Sequence, residues 1–158
     1  MSLGGVGAGT VDDVIVVSVC SLKGGVGKTS VVLGLASAAL SRGVPTLVVD
    51  LDPQADATTA LNVENPDANP VAAVLSNPRI KTVANALSPS AWSEGQSGLA
   101  DDGLRGTDRA LGRLTTALAR TDGYQLVLID CPPSFGTLTR TGLVASHRAM
   151  VVTEPALF

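Results

Sequence analysis

Residues 14–20 (VIVVSVC) lead directly into residues 21–30 (SLKGGVGKTS). The first segment is short and almost entirely apolar, which is typical of a buried parallel strand. The second segment is rich in glycine, so consecutive backbone N–H groups can turn toward a single anion. After it, Val32, Leu35, Ala36, Ala39 and Leu40 recur at the spacing of one helix face, and Gly43 is expected to end that helix. The order of strand, glycine loop and helix predicts a phosphate-binding loop.

Each part of this loop has its own chemical task in binding Mg-ATP. Lys28 supplies a full positive charge near the β- and γ-phosphates, and the Thr29 hydroxyl can ligate Mg²⁺. A plain glycine turn with an incidental lysine is the alternative, but it explains neither the Lys28-Thr29 pair nor the second lysine, Lys23. The predicted nucleotide-binding residues are Gly24, Gly25, Val26, Gly27, Lys28, Thr29 and Ser30.

The rest of the chain alternates apolar strand-like runs with helical patterns, which predicts an α/β fold. Its sheet is expected to be mostly parallel with helices on both faces, as in P-loop NTPases. Further strands are predicted at 46–50, 80–87, 125–130 and 149–153, and helices at 55–61, 70–76 and 105–120. Residues 1–13 are interpreted as a flexible leader, and residues 88–103, including Trp92, as a long surface loop.

Three aspartates follow the predicted strands at the edge where ligands bind in open α/β sheets. Asp50 and Asp52 lie in VVDLDPQ, and Asp130 ends the apolar run LVLID at the Walker B position. A carboxylate at that position fixes a Mg²⁺-bound water. For Asp50 and Asp52, capping of the turn before Pro53 is the alternative.

The segment KGGVGKT, residues 23–29, resembles the deviant Walker A signature of the ParA/MinD/nitrogenase-iron-protein ATPases. VDLDPQ and IDCPPSFG look more like the partition-type ParA/Soj proteins than like other members. The resemblance implies that Lys23 acts in trans on the phosphates of a partner subunit. It also implies that Asp52 orients the attacking water, and that Asp50 supports Mg²⁺ and its waters. The catalytic candidates are thus Lys23, Lys28 and Asp52, and the metal candidates Thr29, Asp130 and Asp50.

The function that the resemblance implies is a Mg-ATP-dependent switch in chromosome or plasmid partitioning or in cargo positioning. Its partners would be a second copy of the chain, joined in an ATP-dependent homodimer, and a ParB-like protein that activates weak hydrolysis. Because family chains usually continue well beyond residues 150–155, residues 14–158 are expected to be an ATPase domain that lacks the C-terminal part. Nonspecific DNA binding belongs to the full-length family.

Composition limits the other function classes. A formal net charge of −3 and an isoelectric point near 4.9 provide no global field for DNA. We expect no membrane role, and a cytoplasmic location follows from the lack of a signal peptide and of a disulfide framework; Cys20 and Cys131 are interpreted as small core residues. Two alternatives remain, a P-loop small-molecule kinase or synthetase and a noncatalytic nucleotide-binding interaction module.

Overall fold

The computed structural model describes residues 14–63, 70–90, 93–99 and 111–155, and in these ranges it contains six strands and six helices. The strands are β1 (Ile15–Cys20), β2 (Thr46–Asp50), β3 (Pro89–Ser90), β4 (Ser93–Leu99), β5 (Leu126–Asp130) and β6 (Arg148–Val151). The helices are α1 (Lys28–Leu40), α2 (Asp56–Ala60), α3 (Pro70–Ser76), α4 (Ile80–Ala86), α5 (Arg113–Leu118) and α6 (Thr137–Ala145).

The strands form one sheet in the order β3-β4-β2-β5-β1-β6. Every neighbouring pair is parallel except β3 and β4, which are antiparallel. The register pairs Asp50 of β2 and Val19 of β1 with Asp130 of β5. The carboxyl ends of β1, β2 and β5 therefore lie side by side, and the predicted mostly parallel sheet is confirmed.

Helices cover both faces of the sheet, because the central strands are apolar on both sides. Along β2, Leu47 and Val49 point to one face and Val48 to the other, as the two-residue period of a strand requires. One core cluster holds Val48 with Val32 of α1, and the other contains Leu47 with side chains of α3 to α6. Each fully buried side chain of this size contributes about 1.5–3 kcal/mol to folding.

Helix α1 follows the one-face pattern of its sequence. Val32, Ala36 and Ala39 are buried, and the helix ends at Leu40. Gly43 has a φ of 66° and donates its N–H to the carbonyl of Leu40 at 2.9 Å. Glycine is the residue that adopts this left-handed conformation without steric cost, so the predicted helix end is confirmed.

The strand predicted over residues 80–87 was wrong, because Ile80–Ala86 is helix α4. Its β-branched residues favour a strand locally, but Val83 and Ala86, three residues apart, lie on one face of a helix and are buried in the core. Ile80 is 70% exposed. Tertiary packing of one helical face therefore overrides the local strand preference.

The long loop predicted over residues 88–103 was also wrong where the structure describes it. Strand β4 pairs with β2 through Leu47 and Ser97, and its polar, glycine-containing sequence gives no strand pattern. Backbone hydrogen bonding to β2, which is indifferent to side-chain hydropathy, holds this segment in the sheet. Trp92 and residues 100–110 lie outside the described residues.

The other predicted elements lie within a few residues of their observed positions, apart from α5 and α6. The predicted helix 105–120 corresponds to α5, Arg113–Leu118, and residues 105–110 of that prediction fall outside the described part. Helix α6, Thr137–Ala145, was not predicted, since three threonines, an arginine and a glycine interrupt its apolar pattern. Cys20 and Cys131 are free and buried, as expected for core residues.

A glycine in α6 allows the helix to approach the sheet closely. A Cβ atom added at Gly142 would lie 2.9 Å from Cys131 Sγ and 3.2 Å from side-chain carbons of Ile129 and Leu51. Such distances are shorter than ordinary van der Waals contact. Gly142 therefore sets the spacing between α6 and the strand that ends in Asp130.

We predict that Gly142→Ala destabilises the domain by about 1–3 kcal/mol, as overpacking does, despite the higher helix propensity of alanine. Gly34, inside α1, is the matched control, because a Cβ there meets no atom within 4 Å. Gly34→Ala should stabilise the domain by up to about 1 kcal/mol. Urea unfolding of both variants measures the two effects; equal effects of the same sign would contradict the close packing of α6.

Candidate functional site

The loop between β1 and α1 turns at two glycines with left-handed backbone conformation. Gly25 has a φ of 78° and Gly27, the residue that precedes α1, a φ of 91°. These values cost a residue with a Cβ atom free energy. No side chain caps the start of α1, and the first N–H groups of a helix have no partner within the helix. The loop therefore presents open N–H donors and the positive end of the helix dipole.

A cavity of about 240 Å³ opens at these donors. Lys28 lines the cavity although its residue is only 6% exposed, so its charge is held in place by the surrounding chain. The opposite wall comes from the segment after β2 and from Pro133, which follows β5. The lining residues are Gly24, Gly25, Gly27, Lys28, Thr29, Ser30, Asp52, Gln54, Asp56 and Pro133.

The side chain of Thr29 connects the loop to the end of β5. Its hydroxyl donates a hydrogen bond of 2.7 Å to Oδ2 of Asp130. The other carboxylate oxygen, Oδ1, is buried and has no hydrogen-bond partner among the residues that the structure describes. A buried carboxylate oxygen of this kind is costly unless a ligand, a metal ion or a metal-bound water satisfies it.

Burial raises the pKa of Asp130 to about 6. The hydrogen bond from Thr29 and the charge of Lys28 lower this pKa, but neither offsets the loss of hydration, and the negative charges of Asp50 and Asp52 raise it further. A nearby cation would favour the ionised form. The electrostatics of Asp130 therefore match a site that receives positive charge.

Asp50 is fully buried next to Asp130, but it does not line the cavity. Its Oδ1 accepts a hydrogen bond from the N–H of Asp52, and its Oδ2 accepts two from Thr58, one from the N–H and one from the hydroxyl. Burial raises the pKa of Asp50, although these donors oppose the shift. These hydrogen bonds hold the segment after β2 in place. They agree with the alternative role of Asp50, which is to cap the turn before Pro53.

Asp52 lies on the cavity wall, and its Oδ1 accepts a hydrogen bond of 3.1 Å from the N–H of Gln54. The chain then turns at Ala55, whose φ of 54° is uncommon for a residue with a side chain. This turn leads into α2 and brings Asp56 to the cavity. The segment after β2 therefore presents two carboxylates and one amide to the phosphate loop.

Three lining residues were not predicted from the sequence: Gln54, Asp56 and Pro133. Gln54 is part of the quoted VVDLDPQ, and Pro133 of IDCPPSFG, so both motifs carried a signal. Asp56 lies in neither of these two motifs, and the turn at Ala55 brings it to the cavity. Four predicted residues do not line the cavity: Lys23, Val26, Asp50 and Asp130.

Lys23 lies at the surface, outside the cavity lining. It forms an ion pair with Glu154, and the two side chains are 67% and 44% exposed. The two lysines of the motif therefore have different environments within one chain. Lys28 is buried at the cavity, whereas Lys23 is exposed and is not among the residues that line it.

Comparison with known proteins identifies the family to which this site belongs. A family model described as an AAA domain, AAA_31, matches residues 14–158. The chain therefore belongs to this family, as a ParA/MinD-type P-loop ATPase domain. The predicted resemblance is confirmed.

Two curated relatives and one solved structure illustrate the similarity. The virulence plasmid ParA family protein pGP5-D of Chlamydia psittaci is 34% identical, and the sporulation initiation inhibitor protein Soj of Bacillus subtilis 33% identical. The alignments cover 88% and 86% of this chain and 56% of each relative. Cobyrinic acid a,c-diamide synthase of Mycobacterium smegmatis, solved with an ATP analogue and magnesium, has a TM-score of 0.77 and 36% identity, over 89% of this chain and 60% of that one.

The chain thus spans a little more than half the length of these relatives. ATP and Mg²⁺ are ligands of the family, since a family structure was solved with an ATP analogue and magnesium. The residues of this chain fit such a ligand. The open N–H groups and Lys28 suit phosphate oxygens, and Thr29 together with Oδ1 of Asp130 suits Mg²⁺ and its waters.

Two other kinds of feature are absent from the described residues. These residues contain no group of three or more His, Cys, Asp and Glu side chains arranged to hold a metal ion. A P-loop Mg²⁺ site does not need one, because phosphate oxygens and waters supply most of its ligands. Across the same residues, no helix combines the length and apolar character of a membrane span.

The pKa of Asp130 predicts how stability depends on pH in the absence of nucleotide. In the unfolded chain the pKa is near 3.8, and in the folded chain about 6. The folded state thus binds the proton more tightly, so the cost of ionised Asp130 is present above pH 6 and disappears as the pH falls toward 4. Asp130→Asn should stabilise the domain by about 1–3 kcal/mol at pH 7.5 and by much less at pH 4.

Urea unfolding at the two pH values, without nucleotide or metal, measures this difference. Asp122→Asn is the control, since Asp122 is an exposed carboxylate at the opposite edge of the sheet. It makes the same change in net charge. A stabilisation by Asp130→Asn that is equal at both pH values would show that Asp130 does not carry the electrostatic cost.

Proposed function

We propose that this domain belongs to a molecular switch of the ParA type that binds and hydrolyses Mg-ATP and forms an ATP-dependent homodimer. The observation that carries the proposal is the separation of its two signature lysines. Lys28 is buried at the phosphate cavity, whereas Lys23 is exposed and outside it. Lys28 supplies the cation for phosphate binding within one chain, and Lys23 is exposed to a second molecule.

Nucleotide binding is assigned to the loop and to Lys28. The N–H groups from Gly24 to Ser30 receive the phosphates, and Lys28 offsets their negative charge. Thr29 and Asp130 would hold Mg²⁺, and Asp50 would support this arrangement by fixing the segment after β2. Mg²⁺ withdraws charge from the phosphate oxygens when bound.

Hydrolysis is assigned to Asp52. Its carboxylate is on the cavity wall, where it can accept a hydrogen bond from a water and direct an oxygen lone pair toward the terminal phosphate. Lys28 stabilises the charge that develops on the phosphoryl group. Weak hydrolysis fits this arrangement, because a single chain provides one lysine to the cavity and the second must come from elsewhere.

Lys23 is proposed to be that second cation, acting on the nucleotide of a partner subunit. Its exposure allows it to reach another molecule without any unfolding of its own loop. A cation supplied by a second molecule stabilises phosphoryl transfer in the manner of an arginine finger. ATP binding and assembly are coupled in this way.

The cellular role proposed is chromosome or plasmid partitioning or cargo positioning, with a ParB-like protein as activator. The ParA and Soj relatives support this role. A cytoplasmic location is part of the proposal, and the two free buried cysteines agree with a reducing compartment. DNA binding is not part of the proposal for this chain, since the net charge of −3 does not favour it.

The lysines provide the first test. Lys28→Ala should weaken Mg-ATP binding by at least about tenfold in calorimetry, because a charge-assisted contact at a buried site is lost. Lys23→Ala should leave binding by the single chain nearly unchanged but abolish the ATP-dependent doubling of mass in light scattering. Lys81→Ala, which removes an exposed lysine of α4, is the control and should change neither.

Each outcome of this experiment is informative. Equal loss of binding in Lys23→Ala and Lys28→Ala would contradict action in trans. ATP binding that never produces a mass change in the wild-type chain would contradict the switch and would favour a nucleotide-binding interaction module.

Asp52 provides the second test. Under single-turnover conditions, Asp52→Asn should slow ATP hydrolysis by at least about tenfold while Mg-ATP binding is retained, because the amide cannot accept a proton or orient water equally well. Asp56→Asn is the matched control, since it removes a carboxylate from the same cavity wall. A larger effect from Asp56→Asn than from Asp52→Asn would assign the water-orienting role to Asp56 instead.

An ATP-dependent synthetase is the second candidate function. The observation that favours it is the 36% identity to cobyrinic acid a,c-diamide synthase, at a TM-score of 0.77. Such an enzyme uses ATP to activate an acceptor. Hydrolysis that rises with a carboxylic acid acceptor and ammonia, and yields an amide, would support it; hydrolysis that rises only with a protein activator would support the switch.

A further inference from the structure

The ion pair between Lys23 and Glu154 follows from the topology of the sheet. Strands β1 and β6 are parallel neighbours, and Cys20 pairs with Val151 in their register. The ladder continues beyond the strand ends, where the N–H of Val152 donates to the carbonyl of Cys20 at 2.9 Å. Lys23 and Glu154 each lie three residues beyond the paired Cys20 and Val151, so their side chains meet at the edge that carries the phosphate loop.

Glu154 is not among the residues that line the phosphate cavity, and its carboxylate is directed to Lys23. Both side chains are partly exposed. An exposed ion pair of this kind is weak and is screened by salt, so a more highly charged anion can displace it. The contact is therefore suited to holding a side chain temporarily rather than to stabilising the fold.

We propose that Glu154 is a positioning residue for Lys23, which holds the lysine ammonium at the surface of its own subunit until a phosphate group replaces the carboxylate. In the single chain, Glu154 keeps Lys23 ordered and partly neutralised. In the assembled state, the Lys23 ammonium binds the triphosphate of a second copy of the chain instead of Glu154. This second half rests on the proposed dimer, whereas the contact itself does not.

The two anions cannot both have the full interaction with one ammonium, so they compete. A triphosphate carries more negative charge than a single carboxylate and attracts the lysine more strongly. The contact with Glu154 has to break before the dimer forms. The free energy of that contact therefore opposes assembly. Removal of the Glu154 charge should therefore favour the dimer, and dimer formation should release Glu154.

The contact can be tested without nucleotide, on the chain as it stands. Labelling of Lys23 by an amine-reactive reagent is followed by peptide mass spectrometry, with Lys81 as the internal reference. Glu154→Gln should increase the labelling rate of Lys23 by about 1.5- to 5-fold, which is the range expected for an exposed ion pair. Asp122→Asn, with the same change in net charge, should leave the rate unchanged. Equal labelling of Lys23 in wild type and Glu154→Gln would overturn the contact.

The competition is tested by the ATP concentration at which light scattering shows half of the chain as dimer. Glu154→Gln should lower this concentration by about 1.5- to 5-fold, and high salt should remove the difference. Asp122→Asn, which makes the same change in net charge, should leave this concentration unchanged. An equal effect of Asp122→Asn and Glu154→Gln would show that Glu154 acts through net charge rather than through Lys23.

The two measurements separate the inference from the proposed function. If the wild-type chain shows no ATP-dependent doubling of mass, the dimer and the competition are both overturned, while labelling still decides whether Glu154 holds Lys23. If the dimer forms and Glu154→Gln changes neither labelling nor assembly, the switch stands and the role of Glu154 is overturned.

Discussion

The position of β5 between β1 and β2 is the constraint on which the site depends. Both neighbours are parallel to β5, so three strands deliver their carboxyl ends to one edge, and the register sets Asp50 beside Asp130. The phosphate loop follows β1 at the same edge, and Thr29 is near enough to donate to Asp130. A shift of one residue in this register would turn Asp130 to the other face of the sheet. The apolar contacts on both faces hold the register, and the polar site is a consequence of it.

This arrangement collects negative charge in a place with little water. Asp50 and Asp130 are buried side by side, and burial raises the pKa of both. Donors surround Asp50, which therefore tolerates its charge, whereas Asp130 has one satisfied oxygen and one buried oxygen without a partner among the described residues. The domain thus carries an electrostatic cost until a cation arrives. Mg²⁺ bound together with ATP would offset that cost, because its two positive charges would lie near the unsatisfied oxygen.

Much of the site could be predicted from the sequence, because its parts are contiguous. The glycines, Lys28 and Thr29 occupy adjacent positions, and local spacing alone places them around one anion. Asp56 and Glu154 could not be found in the same way. The first depends on the turn at Ala55 and the second on the pairing of β1 with β6, and neither leaves a pattern in the residues themselves. The two roles considered for Asp50 can likewise be told apart only by its three hydrogen-bond donors, which the sequence does not reveal.

The sequence by itself determined the fold class, the phosphate loop and the family, since apolar periodicity and a glycine string act over a few residues. Tertiary structure decided the rest. Ile80–Ala86 is a helix because one of its faces is buried in the core. Ser93–Leu99 is a strand because its backbone pairs with that of β2. The different environments of Lys23 and Lys28 were decided in the same way, although the two residues lie in one motif. Burial and hydrogen bonding depend on what comes near in space, and that information is not contained in any short stretch of the chain.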